Sequence, residues 1–119
     1  MNYLPQIMMV LLVIDFTIYT ALIDAEHINK DEYITNHLDR WLQRGCFFIA
    51  FAFTHVVYSL ASALLFTALF DQILNIARGK HFLYLGTVSP WDRFFRNKII
   101  LYIIIKILAL LTSLILFLL

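Results

Sequence analysis

The chain has 119 residues, enough for one domain, of which 62% are hydrophobic and 14% charged. Soluble domains average about 45–50% apolar and roughly 25% charged residues. Because a small domain has a large surface to cover with polar groups, this composition excludes a water-soluble fold. Nine Lys and Arg residues against eight Asp and Glu leave no basic face for nucleic acid. Cys46 is the single cysteine, which excludes an intramolecular disulfide and a CxxC-type metal site.

The apolar residues form three blocks, which predict three transmembrane helices in an all-α membrane protein. The spans are predicted at about 4–23, 46–70 and 99–119, within one transmembrane domain covering 1–119. A helix needs about 20 apolar residues to cross roughly 30 Å of hydrocarbon. The first block has no basic residue before it and no small-residue cleavage site after it, so we expect a retained helix and not a signal peptide.

The connection between the first two spans predicts a short amphipathic helix over about 30–44, lying at the membrane surface. Its apolar face is Ile34, Leu38, Trp41 and Leu42. Alternatively, this segment extends the second span outward. The second helix is expected to continue to about 78, where Arg78 and Gly79 are stop signals. The third helix is expected to begin at about 90, with Pro90 in its first turn.

The lysines and arginines of the two connections predict an orientation. Residues 24–45 contain three of them and residues 71–98 contain five. Connections rich in these residues favour the cytoplasmic side. We therefore expect a multi-pass protein of the cell (inner, cytoplasmic) membrane, with 71–98 and the N-terminus in the cytoplasm and the C-terminus outside.

Each predicted span carries one ionisable residue near its middle: Asp15, His55 and Lys106. A charge at the centre of a helix costs about 2.5–3.5 kcal/mol on insertion scales, which suggests that these groups offset one another. With their polar neighbours they form a predicted polar seam of Asp15, His55, Lys106, Tyr19, Tyr58, Ser59, Ser62 and Tyr102.

The polar seam admits three interpretations. It fixes the packing of the helices, or it forms a proton path in which His55 titrates. In the third, the groups do not meet within one chain. Lys106 then reaches toward the headgroups or pairs with Asp15 of another subunit.

A second polar group is expected at the cytoplasmic surface. Asp71, Asn75 and Arg78 share one helix face, and Asp92 begins the next helix. The structural interpretation is a brace in which Arg78 pairs with Asp71 or Asp92. The functional interpretation is a site for lipid phosphate.

The histidines of the first connection do not predict a metal site. His27 and His37 have acidic neighbours but lack the spacing of zinc ligands. We therefore expect neither a metal nor a cofactor, and no catalytic residue.

The stretch LFDQILNIARGKHFLYLGTVSPWDRF resembles a pattern of small uncharacterised membrane proteins of bacteria and their phages. That pattern reads F-D-x-x-L-N-x-x-R-G, then F-x-Y-L-G, then a Ser and an Asp, and in this chain it extends from Phe70 to Asp92. The group has no assigned activity, so the resemblance implies no catalytic residues. It implies one structural unit made of Asp71, Asn75, Arg78, Gly79, Tyr84, Gly86 and Asp92. The architecture is also similar to that of bacterial diacylglycerol kinase, but the glutamate-rich motif of that family is absent.

Three functions compete. The first is a non-enzymatic assembly or accessory subunit, held by the polar seam, that forms a homo-oligomer or binds another membrane protein. The second is a small homo-oligomeric pore or proton conductor of the holin type, which dissipation of a pH gradient in liposomes would reveal. The third is a lipid-headgroup enzyme using Asp71, Arg78 and Asp92, for which a lipid or nucleotide bound at Arg78 would be evidence.

Overall fold

The computed structural model describes residues 2–29, 37–52, 55–85 and 90–119, and these residues contain helices but no strands. In chain order the helices are α1 (Leu4–Asn29), α2 (His37–Ala52), α3 (Val56–Ala77), α4 (Pro90–Phe95) and α5 (Ile99–Leu118). The helices α1, α3 and α5 are long and apolar enough to cross a membrane. The predicted fold class, three transmembrane helices with a short helix in the first connection, is confirmed.

The second apolar block is not one helix. α2 ends at Ala52 and α3 begins at Val56, with His55 as the N-cap. The Nδ1 atom of His55 accepts a hydrogen bond from the backbone N–H of Val57 at 3.2 Å. Length explains the break: one helix over residues 42–77 would be about 54 Å long, against about 30 Å of hydrocarbon. The chain therefore turns back and forms a helical hairpin.

Other helix ends also differ from the prediction. The third predicted helix is divided, since α4 ends at Phe95 and α5 begins at Ile99. α3 ends near the predicted residue 78, with Arg78 as its C-cap. Gly79 follows with φ of 69°, a left-handed conformation that glycine adopts without steric cost.

Side-chain contacts define the directions of the helices. Gln6 of α1 lies beside Tyr58 of α3, and farther along Phe16 lies beside Phe66. These two helices are therefore parallel. In contrast, α5 is antiparallel to α3, because Tyr58 stacks on Phe117 at one end while Gln72 bonds Tyr102 at the other.

The short helix α2 is also antiparallel to α3. Arg44, early in α2, lies over the ring of Phe70, late in α3. Later in α2, the carbonyl of Phe48 accepts a hydrogen bond from Ser59, early in α3. α2 thus returns the chain to the end of the bundle at which α1 begins.

The end of α1, the start of α2, the end of α3 and the start of α5 lie at one end of the bundle, which we call the charged end. The opposite end, named the apolar end, holds Gln6, His55 and Phe117. The prediction placed residues 24–45 and 71–98 on opposite sides of the membrane, and the two termini likewise, because it assumed that residues 46–70 cross the membrane once. In the structure the described helix ends that flank both connections lie at the charged end, whereas the start of α1 and the end of α5 lie at the apolar end.

The core is centred on α3, which contacts α1, α2 and α5. Small side chains make this possible: Ala61 and Ser62 are fully buried, so neighbouring helices approach closely. The main apolar cluster is Val13, Phe51, Ala61, Leu65 and Phe117. Next to it, Phe16 stacks on Phe47 with ring centroids 3.9 Å apart, which attaches α2 to α1.

Candidate functional site

Two ion pairs lie below the charged end, and we call their four residues, Asp24, Arg44, Asp71 and Lys106, the charged cluster. Each comes from a different helix: α1, α2, α3 and α5, respectively. Lys106 lies about 10 Å along α5 from its start, and Asp71 lies about 9 Å before the end of α3. The cluster is therefore close to the headgroup region and not at mid-bilayer.

The first pair of the cluster joins α3 to α5. The Nζ atom of Lys106 lies 2.8 Å from Oδ2 of Asp71. Lys106 also donates a hydrogen bond to the backbone carbonyl of Thr67. The lysine side chain is only 10% exposed, whereas that of Asp71 is 38% exposed. The carboxylate thus reaches the polar boundary while it neutralises a buried ammonium group.

A polar chain next to this pair strengthens the same contact. The amide Nε2 of Gln72 donates a hydrogen bond to the hydroxyl of Tyr102 at 2.8 Å, and both residues are buried. This bond adds a second polar contact between α3 and α5, beside the pair of Asp71 and Lys106.

The second pair of the cluster joins α1 to α2. Arg44 lies 2.9 Å from the carboxylate of Asp24. Its guanidinium group also lies 4.6 Å from the ring centre of Phe70 and 5.3 Å from that of Phe66. A guanidinium between an acid and two aromatic rings is well suited to a poorly hydrated site.

The predicted polar seam does not form as expected. Asp15 is exposed on α1 and does not contact Lys106, whose carboxylate partner is Asp71. His55 is exposed at the start of α3, where its side chain caps the helix. Asp15, His55 and Lys106 therefore lie at three separate places. The reason is the parallel course of α1 and α3, which the prediction treated as antiparallel.

The other seam residues have local roles. Ser62 donates to the carbonyl of Tyr58, and the Tyr58 hydroxyl accepts a hydrogen bond from Gln6 at 3.4 Å. Ser59 donates to the carbonyl of Phe48 and closes the α2–α3 hairpin. Tyr19 is 63% exposed. Only Tyr102 joins Lys106 near the charged cluster.

The predicted cytoplasmic cluster is also distributed differently. Asp71 belongs to the charged cluster. The side chain of Asn75 donates hydrogen bonds to the carbonyls of Phe82 and Tyr84, at 3.1 and 2.9 Å, so it braces the turn after α3. The guanidinium group of Arg78 lies 5.8 Å from the ring centre of Tyr84 and forms no ion pair with Asp71.

Two of the predictions for this region stay open. Asp92 lies in α4, where its side chain is partly buried and interacts with another group. Gly86, which the resemblance added to this unit, lies outside the described residues.

An apolar groove of about 320 Å³ runs between α3 and α5. Ile76, Phe82 and Leu83 line it near the charged end, and Ile107 and Leu110 line it deeper. In a bilayer such a groove faces hydrocarbon, so an acyl chain fits it.

No group of three potential metal ligands occurs among the described residues. The side chain of His37 lies outside them.

The charged cluster was missed by sequence reasoning, although two signals for it existed. Lys106 and Asp71 lie at matching depths from the connection that joins their helices, which antiparallel neighbours bring together. Arg44 lies near the start of the apolar stretch Leu42–Ala52 of α2. Such an apolar stretch is unusual in a helix that lies only on the membrane surface. Chemically, the cluster contains two neutralised ion pairs, and such an arrangement joins helices.

Comparison with protein-family models, with curated proteins and with solved structures found no match for this chain.

Proposed function

We propose that this protein is a non-enzymatic subunit of a membrane complex, and that the face of α1 around Asp15 binds a transmembrane helix of another protein. The observation that carries this proposal is the position of Asp15. It lies about 16 Å from the start of α1, near the middle of the span. Its side chain is exposed and has no partner among the described residues.

The surroundings of Asp15 are those of a lipid-facing surface. The exposed large side chains on this part of α1 are Leu11, Leu12, Ile18, Tyr19 and Leu22. A lone carboxylate in such a setting costs about 2.5–3.5 kcal/mol on insertion scales. A cation or hydrogen-bond donor on a neighbouring helix would offset this cost, which makes the carboxylate a binding determinant.

The chain itself offers no cation for this purpose. Lys106 is the only Lys or Arg within the three candidate spans, and it is buried against Asp71. A second copy would therefore bring another acid to Asp15 and not a base. Charge complementarity favours a different protein whose transmembrane helix carries Lys, Arg or a strong donor at mid-bilayer.

The pore alternative has less support. His55 lies at the apolar end and Lys106 near the charged end, and both are engaged in local contacts. The ionisable residues of the described spans thus do not line one path across the bundle.

The orientation proposed here has the charged end in the cytoplasm. The lysines and arginines of the described residues outside α5 all belong to that end: Arg40, Arg44, Arg78, Lys80, Arg93, Arg96 and Lys98. Residues 2–10, 55–60 and 111–119, which belong to the apolar end, contain none. The preference of basic residues for the cytoplasmic side therefore applies to one whole end of the molecule.

The experiment compares the protein extracted from its native membrane in polymer-bounded lipid particles with Asp15→Leu, Asp15→Asn and Leu111→Ala. Leu111→Ala is the matched control, because Leu111 is exposed on α5 and not on the Asp15 face of α1. We expect the wild type and the control to co-purify with one partner in fixed stoichiometry, and Asp15→Leu to lose it. A wild type without a partner, or full retention by Asp15→Leu, would contradict the proposal.

A further inference from the structure

Two cations lie against one aromatic ring at the end of α3. The guanidinium of Arg78 lies 5.8 Å and the ammonium of Lys80 5.4 Å from the ring centre of Tyr84. We call residues 78–84 the cationic turn. Asn75 fixes its shape through the carbonyls of Phe82 and Tyr84. The backbone N–H of Lys80 closes the same turn with a hydrogen bond to the carbonyl of Asn75 at 2.8 Å.

The two cations of this turn have no counter-charge of their own. Among the described residues neither Arg78 nor Lys80 forms an ion pair with an acidic side chain. The Nε atom of Arg78 is buried without a hydrogen-bond partner. Like charges held near one ring repel each other, so an anion that binds both is stabilised. A guanidinium group and an ammonium group that lie close together can both donate hydrogen bonds to the oxygens of one phosphate group.

The position of the turn indicates the source of that phosphate. Arg78 follows the last residue of the span Val56–Ala77, so the turn lies at headgroup level. The apolar groove between α3 and α5 begins at the same turn, where Phe82 and Leu83 line it, and continues to Leu110. A free phosphate would use only the cations, whereas a lipid would use the cations and the groove together.

We propose that the cationic turn binds the phosphate group of an anionic membrane lipid, with one acyl chain lying in the groove between α3 and α5. The site is separate from the Asp15 face, since it belongs to α3 and α5 at the charged end. It selects lipids whose headgroup carries a net negative charge, because a zwitterionic headgroup would bring a third cation to Arg78 and Lys80.

The first experiment measures lipid binding to the purified full-length chain in detergent, by native mass spectrometry with dioleoyl phosphatidylglycerol or dioleoyl phosphatidylcholine. The variant is Arg78→Gln with Lys80→Gln, and the matched control is Lys98→Gln with Arg93→Gln, which removes two exposed cations from the same end. We expect tenfold or greater loss of phosphatidylglycerol binding in the first variant and less than threefold in the control. Equal losses, or equal binding of both lipids by the wild type, would overturn the proposal.

The second experiment separates a lipid from a free phosphate. Inorganic phosphate and glycerol 3-phosphate, at concentrations matching the lipid, are expected to leave bound phosphatidylglycerol in place. Ile107→Trp fills the groove and should weaken lipid binding several-fold, whereas Leu108→Trp, also exposed on α5 but outside the groove, should not. Displacement by inorganic phosphate, or identical binding by the two tryptophan variants, would rule out a lipid chain in the groove. Circular dichroism confirms that each variant is folded.

Discussion

The ammonium group of Lys106 lies 2.8 Å from the carboxylate of Asp71, and this contact joins α5 to α3 just below the charged end. The lysine is in α5, the most apolar of the three described spans, where an unpaired ammonium would be costly. Asp71 and the carbonyl of Thr67 remove that cost. Lys106 is therefore a structural residue, and it is not available to the mid-span carboxylate of Asp15.

Removal of one member of this pair should destabilise the protein. Lys106→Met leaves Asp71 without its cation, and we expect a loss of about 2–3 kcal/mol. That is less than the roughly 3–5 kcal/mol for a fully buried pair, because Asp71 is partly exposed. The measurement is unfolding in mixed micelles followed by circular dichroism. Lys98→Met, an exposed lysine over the ring of Phe94, is the control and should cost less than about 1 kcal/mol.

A double variant tests the pair directly. Asp71→Leu with Lys106→Met replaces both charges by apolar groups, which often restores stability. We expect the double variant to be more stable than Lys106→Met alone. If the two single losses simply add, Lys106 and Asp71 are not coupled.

The pair of Asp24 and Arg44 should hold α2 in the bundle. Arg44→Gln removes the ion pair and the contacts with Phe66 and Phe70. We expect faster amide hydrogen exchange over residues 42–52, with little change over residues 60–70. The control is Gln43→Ala, the exposed neighbour of Arg44. Unchanged exchange in Arg44→Gln would mean that aromatic packing alone holds α2.

The sequence was sufficient for the class of fold but not for its topology. The three apolar blocks, and the stop signals at Arg78 and Gly79, predicted features that the structure contains. The hairpin between α2 and α3 was missed, because residues 46–70 have a suitable length for one span. The available signal was the total length of the apolar and helix-favouring run, which exceeds the thickness of the membrane.

The charged cluster was missed for a related reason. A pairing between spans depends on which helices are neighbours and on their directions. The parallel course of α1 and α3 puts Asp15 on the outer surface, and this could not be derived from residue spacing within any one helix. The depths of Lys106 and Asp71 could be counted from the connection that joins their two helices. This count shows that the two residues can meet only if the helices are antiparallel neighbours.

The topology predicts a specific labelling pattern. In a Cys46→Ser background, Asn2→Cys tests the apolar end and Lys80→Cys the charged end. With a membrane-impermeant maleimide applied to intact cells, we expect labelling of Asn2→Cys only. Labelling of both in lysed cells is the control. The reverse pattern would refute the proposed orientation. Equal labelling of both variants in intact cells would show that the apolar end and the charged end do not lie on opposite sides of the membrane.

Asp15→Leu should have opposite effects on the isolated chain and on its complex. In detergent, replacement of an unpaired carboxylate by leucine should raise the free energy of unfolding of the isolated chain by about 1–3 kcal/mol. In the native membrane the same change should reduce assembly. A loss of stability in the isolated chain would show that Asp15 has a partner within its own chain.

Photocrosslinking tests whether Asp15 faces a helix of another protein, as we propose. A photoreactive amino acid at Leu11, one turn before Asp15 and exposed on the same helix, is activated in native membranes. We expect one adduct whose mass equals this chain plus a different protein, present in the wild-type background and absent with Asp15→Leu. An adduct of twice the mass of this chain, or one that persists unchanged with Asp15→Leu, would contradict it.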